Sequence, residues 1–145
     1  MSYRLDHIVI WVDDVVRSLE FFEKVVGLKT ERAEQFLAGE APFPSVRVSE
    51  DTIIDLMPRM AAQVVNAMAG NIDRKTAGSA GHPVNHICIS MSRSEFDELR
   101  ARLHENGVVT GGELQESFGG RGLAPHTFYF PDPDGNVFEA RYYEG

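Results

Sequence analysis

The chain repeats itself, and that constrains its fold more than any other feature. Asp6-His7-Ile8 and Asn85-His86-Ile87 stand 79 residues apart, Gly27 and Gly107 80 apart, and Ile53-Ile54-Asp55-Leu56 and Val137-Phe138-Glu139-Ala140 84 apart. Three matches in one order, drifting by a few loop residues, mark a duplicated unit. Each copy carries the same run of local signals. Residues 5–12 are β-branched and aromatic, as a strand requires. Asp13 and Asp14 are N-cap residues for a helix with Val15, Val16, Leu19, Phe22, Val25 and Val26 at helical spacing, stopped by Gly27. Strands at 28–34, 44–49 and 52–58 follow, the last two joined by the polar turn Ser49-Glu50-Asp51. The order restarts with a strand at 84–91 and a helix from Ser92 to Asn106 carrying Phe96, Leu99 and Leu103, closed by Gly107. Strands at 108–116, 124–130 and 136–143 complete it, Pro131–Gly135 forming the last hairpin turn. The spacing therefore predicts a single α+β domain of two βαβββ modules, about 1–58 and 84–145. A linker over 59–83 opens with a short helix from Arg59 to Ala69.

With 145 residues and 43% hydrophobic content, the chain can bury a real core. A net charge of −8 argues against nucleic acid or an anionic membrane as partner. Cys88 is the only cysteine, so no disulfide forms within the chain, as suits a reducing compartment. No apolar run approaches the ~18 residues of a membrane span, and no secretory signal precedes the first strand. A cytoplasmic location is the expectation, reached by elimination.

Strand alternation places the residues that can do chemistry. In the first strand Ile8, Ile10 and Val12 form a core face, leaving His7 on the other with Leu5, Val9 and Trp11. In the fifth, His86 lies with Val84, Cys88 and Ser90, and in the eighth Glu139 lies with Val137 and Arg141. Two imidazoles and a carboxylate thus occupy equivalent points of a duplicated frame and converge if a pseudo-twofold axis relates the halves. Such donors bind Fe(II), Zn, Ni, Mn or Co and leave positions open for substrate.

These segments resemble the vicinal oxygen chelate superfamily, which includes glyoxalase I, extradiol dioxygenases and bleomycin resistance proteins. The resemblance covers nearly the whole chain and rests on Leu5-Asp6-His7-Ile8, Ser18–Phe22, Val26-Gly27-Leu28, Asn85-His86-Ile87 and, most specifically, Asp132–Glu139. It implies an open, incomplete barrel around one divalent metal ligated by His7, His86 and Glu139. It also implies a small-molecule substrate with adjacent oxygens, and a homodimer. Some members add a fourth ligand, commonly Glu, where this chain has the shorter Asp55. Four protein ligands leave two positions for a chelated substrate and proton transfer of the glyoxalase kind, with Glu139 or Asp55 as base. Three leave room for dioxygen as well, the Fe(II) extradiol arrangement, with His126 as an acid/base partner. A metal-free binding protein of the bleomycin resistance kind is the third reading, and the His/His/Glu set counts against it. Arg121 and Arg141 are candidates for an anionic substrate group, although an exposed arginine is the commoner case. Trp11, Phe128 and Phe130 belong either to a pocket wall or to plain core.

Overall fold

The computed structural model describes residues 5–61, 84 and 86–144. It divides into two compact units, Met1–Lys24 with Leu28–Val84, and Val25–Gly27 with Asn85–Gly145. Most of the linker expected over 59–83, including the body of its helix and His82, lies outside the described residues; Arg59–Ala61 form a single 3-10 turn.

The first unit is an open four-stranded sheet. Its strands are β1 (His7–Val12), β2 (Lys29–Glu31), β3 (Ser45–Arg47) and β4 (Ile53–Pro58), in the order β1-β4-β3-β2. β1 and β4 run parallel with Ile8 opposite Ile54 and Val9 opposite Asp55; the other pairs are antiparallel. Helix α1 (Val15–Glu20) starts where Asp14 Oδ1 accepts the Arg17 N–H at 3.1 Å. It runs on as a π-helical stretch, Phe21–Val26. Ile10, Val12, Leu19, Phe22, Val46, Ile54 and Leu56 are buried, which is the Ile/Val face that alternation selects. Trp11, on the opposite face, is buried as well. A short helix that periodicity missed, α2 (Ala33–Leu37), follows Arg32, whose backbone is left-handed (φ 60°).

The second unit repeats the plan with β5 (Ile87–Ser90), β6 (Gly111–Gly119), β7 (Gly122–Pro131) and β8 (Val137–Arg141), in the order β5-β8-β7-β6. β5 and β8 are parallel, with Ile87 opposite Phe138 and Cys88 opposite Glu139. Shifting Ile8–Ile54 by the repeat offsets gives Ile87–Phe138, so the two copies share one strand register. Helix α3 (Arg93–Glu105) opens with a capping box, the Ser92 hydroxyl accepting the Glu95 N–H while the Glu95 carboxylate accepts the Ser92 N–H. Its buried face, Phe96, Leu99 and Leu103, brings the Phe96 ring to 4.9 Å from both Phe128 and Tyr142. Phe130 stacks on Phe138, so Phe128 and Phe130 belong to the core. Among the described residues no helix is long and apolar enough to cross a membrane.

Candidate functional site

A turn built by one side chain delivers Glu139. Asp132 Oδ1 accepts the N–H groups of Asp134 (2.9 Å) and Asn136 (2.8 Å), and its Oδ2 accepts Asn136 Nδ2 (3.0 Å). Gly135 supplies the left-handed backbone (φ 80°) that closes the turn. Burial pushes the Asp132 carboxyl above its ordinary pKa, although the three donors oppose that. β8 then starts in a register that sets Glu139 beside Tyr129 of β7 and Cys88 of β5.

Glu139 is buried, at 2% exposure, and both its oxygens are engaged. Oε1 lies 3.2 Å from His86 Nε2, and Oε2 accepts Arg141 Nη2 at 2.6 Å. Burial alone would raise this carboxyl's pKa. The Arg141 guanidinium overrides it and, with Thr127 and Tyr129 nearby, holds the group below the usual carboxylate range. Thr127 Oγ1 is fully buried and has no partner in hydrogen-bond geometry among the described residues. The Tyr129 ring packs edge-on against His86 at 5.1 Å.

Arg141 is itself buried and committed. Nε donates to Cys88 Sγ (3.1 Å), Nη1 to the Ser117 carbonyl (3.3 Å) and Tyr143 Oη (3.4 Å), and Nη2 to Ser117 Oγ (3.3 Å) as well as Glu139. A Cβ on Gly119 would collide with Arg141 Nη1 and Tyr143 Oη, so glycine there lets the β6–β7 hairpin close over the guanidinium. Burial and the Glu139 charge push the Cys88 thiol up, which leaves it a weak nucleophile. These residues line a cavity of about 510 Å³ with Ser90, Phe118, Gly120 and Arg121.

In the first unit Asp55 is also buried, but its Oδ1 accepts Ser45 Oγ at 2.6 Å and lies 3.8 Å from Arg32 Nη2. His7 is half exposed and its Nδ1 is 2.7 Å from Asp6 Oδ2. That contact, with burial opposing and Asp55 assisting, raises the His7 pKa. An imidazole oriented through one nitrogen by a carboxylate presents the other as a ligand.

The fit of these groups to a metal can be tested on the second unit alone. Two ligands about 2.1 Å from one ion, at about 90–110° to each other, stand about 3.0–3.4 Å apart. His86 Nε2 and Glu139 Oε1, at 3.2 Å, match that span. Among the described residues no group of three His, Cys, Asp or Glu side chains that could hold a metal ion is found. His126 fares differently from Glu139. Strand alternation along β7 puts it on the face of Phe128 and Phe130, while Thr127 and Tyr129 face Glu139. It is exposed, its ring lies 6.2 Å from that of Tyr142, and it is not among the residues that line this cavity. Arg141, Tyr129, Ser117 and Tyr143 are the site residues that sequence reasoning missed or left as surface. Arg141 had a signal, since it lies two residues from Glu139 on the same strand face.

A family model described as the Glyoxalase/Bleomycin resistance protein/Dioxygenase superfamily matches residues 4–140. Among solved structures, the chain resembles a virulence protein of Salmonella typhimurium (22% identity, TM-score 0.67, 99% of each chain covered). A glyoxalase/dioxygenase of Nostoc punctiforme is similar at 19% identity and TM-score 0.66, with 98% of this chain and 92% of that one covered. A lactoylglutathione lyase of Agrobacterium tumefaciens aligns at 15% identity and TM-score 0.63, over 98% and 94%. No curated protein matches the sequence. At these identities the solved structures speak for the fold alone.

Proposed function

Because the chain belongs to the glyoxalase/bleomycin resistance protein/dioxygenase superfamily, we propose that it is a divalent-metal-dependent enzyme whose small substrate chelates the ion through two adjacent oxygens. The observation that carries this reading is the pair of part-exposed His86 and buried Glu139, spaced as two ligands of one ion and lining a cavity. His7 is the third donor implied by the family resemblance. When bound, the ion would act as a Lewis acid that acidifies a C–H beside the chelated oxygens.

The protein's own groups divide the remaining work. Arg141 keeps Glu139 ionised, which suits a ligand and leaves a poor general base. Proton transfer of the isomerase or lyase kind then falls to Asp55, the other carboxylate of the repeat. Tyr129 and Phe118 add aromatic surface to the cavity against which an apolar part of the substrate would pack.

One observation favours a second reading, the Fe(II) dioxygenase. Ser45 and Arg32 already occupy Asp55. If Asp55 serves neither as ligand nor as base, three protein donors leave room for dioxygen beside a chelated catechol. Metal analysis of the purified protein separates the two. Nickel, zinc, cobalt or manganese with hemithioacetal isomerisation supports proton transfer, and iron with oxygen uptake on catechols supports the dioxygenase. Failure to retain any divalent ion after supplementation would sink both.

A further inference from the structure

The cavity of the second unit is lined by two arginines that are not equivalent. Arg141 has spent its donors on Cys88, Ser117, Tyr143 and Glu139, and its charge is cancelled by the last of these. Arg121 stands at the turn of the β6–β7 hairpin, between Gly120 and Gly122, whose backbone is left-handed (φ 99°). It is exposed, yet it is held in place. Its backbone N–H donates to Tyr143 Oη at 3.4 Å, and its guanidinium lies over the Tyr143 ring, 5.0 Å from the centroid. Among the described residues no carboxylate pairs with it.

The charges lining the cavity therefore sum to one cation. Glu139 and Arg141 neutralise each other, the histidine is a metal-type donor, and Arg121 remains. A positive cavity in a chain of net charge −8 is a local exception that draws anions from solution. Phe118, Tyr129 and Tyr143 supply apolar and aromatic surface between the hairpin tip and the His86–Glu139 pair. Resting on the chelation reading above, we infer that the substrate is a small organic acid with an apolar body. Its two adjacent oxygens reach the His86–Glu139 end, and a separate carboxylate is selected by Arg121. Stacking on Tyr143 leaves the edge of the guanidinium able to donate to a carboxylate in its plane.

Two matched pairs of probes test this: 3,4-dihydroxybenzoate against 3,4-dihydroxybenzamide with zinc-loaded protein, and benzoate against benzamide with no metal added. Dissociation constants are read by NMR titration for the wild type, Arg121→Gln and Arg121→Lys. The expected result is that each acid binds wild type about tenfold more tightly than its amide, as one charge-assisted contact warrants. In Arg121→Gln the ratio falls below about twofold, Arg121→Lys keeps much of it, and zinc affinity is the same in all three proteins. Equal binding of acid and amide, a preference that survives in Arg121→Gln, or failure of both acids to bind overturns the inference. Failure of the wild type to bind zinc counts against the chelation reading instead, and the benzoate pair still reports on Arg121.

Discussion

The two copies of the repeat put a carboxylate at the same place and then treat it differently. Asp55 in the first unit leans on a serine hydroxyl, with the half-exposed Arg32 3.8 Å away. Glu139 in the second is gripped at 2.6 Å by a buried arginine on its own strand, where the first copy has Met57. The histidines diverge too. His7 turns its Nδ1 to Asp6, whereas His86 turns its Nε2 to the repeat's carboxylate. A shared register thus fixes where a side chain stands, but the residue two positions further on decides whether that carboxylate is gripped by a buried arginine on its own strand or only by a hydroxyl.

The sharpest way to break this comparison is to remove each arginine. Arg141→Met strands a buried carboxylate and is expected to cost about 3–5 kcal/mol in chemical denaturation, most of it recovered in Arg141→Met/Glu139→Leu. Arg32→Met, touching a pair that water already screens, is expected to cost less than about 1 kcal/mol. Equal losses would mean that the two carboxylates are held alike.

Next in size is the glycine that makes room for the guanidinium. Gly119→Ala forces Arg141 or Tyr143 aside, with an expected loss of about 1–3 kcal/mol. A neutral result would show that the hairpin does not close over Arg141. Ser45→Ala, which takes the hydroxyl donor from Asp55, is expected to cost about 1–2 kcal/mol, measurable in the same denaturation series.

Much of this frame was legible in the residues. The offsets between copies predict the parallel registers, because Ile8–Ile54 and Ile87–Phe138 are the same pair in each module. Counting through the Asp132–Asn136 turn would also have set Tyr129 beside Glu139. Other features were not legible. α2 is too short to show a period. The partners of Arg141 come from three strands, which no local pattern brings together. Nor does local pattern tell that Phe128 and Phe130, which share the β7 face of His126, are core rings.

A last contrast lies in the helix starts. α1 has a single aspartate cap, whereas α3 has a reciprocal box. Ser92→Ala is expected to lower stability by about 1 kcal/mol. The Ser92 backbone N–H and hydroxyl hold the Glu95 carboxyl below its ordinary 4.5. Its pKa is thus lower folded than unfolded, so its contribution is complete above about pH 4.5 and is lost as pH falls through the folded value. Glu95→Gln should flatten that part of the stability profile; an unchanged acid limb would show that the box is not formed in solution.

Titration of the protein with cobalt(II), followed by its visible ligand-field absorption, tests the central claim most directly. The account predicts one ion per chain, bound at least about a hundredfold more weakly after His86→Ala or Glu139→Gln, on the scale expected when a ligand is lost. Asp55→Asn should stay within about tenfold of wild type. Wild-type protein that gives no ligand-field band, or a band untouched by both second-unit substitutions, would contradict it.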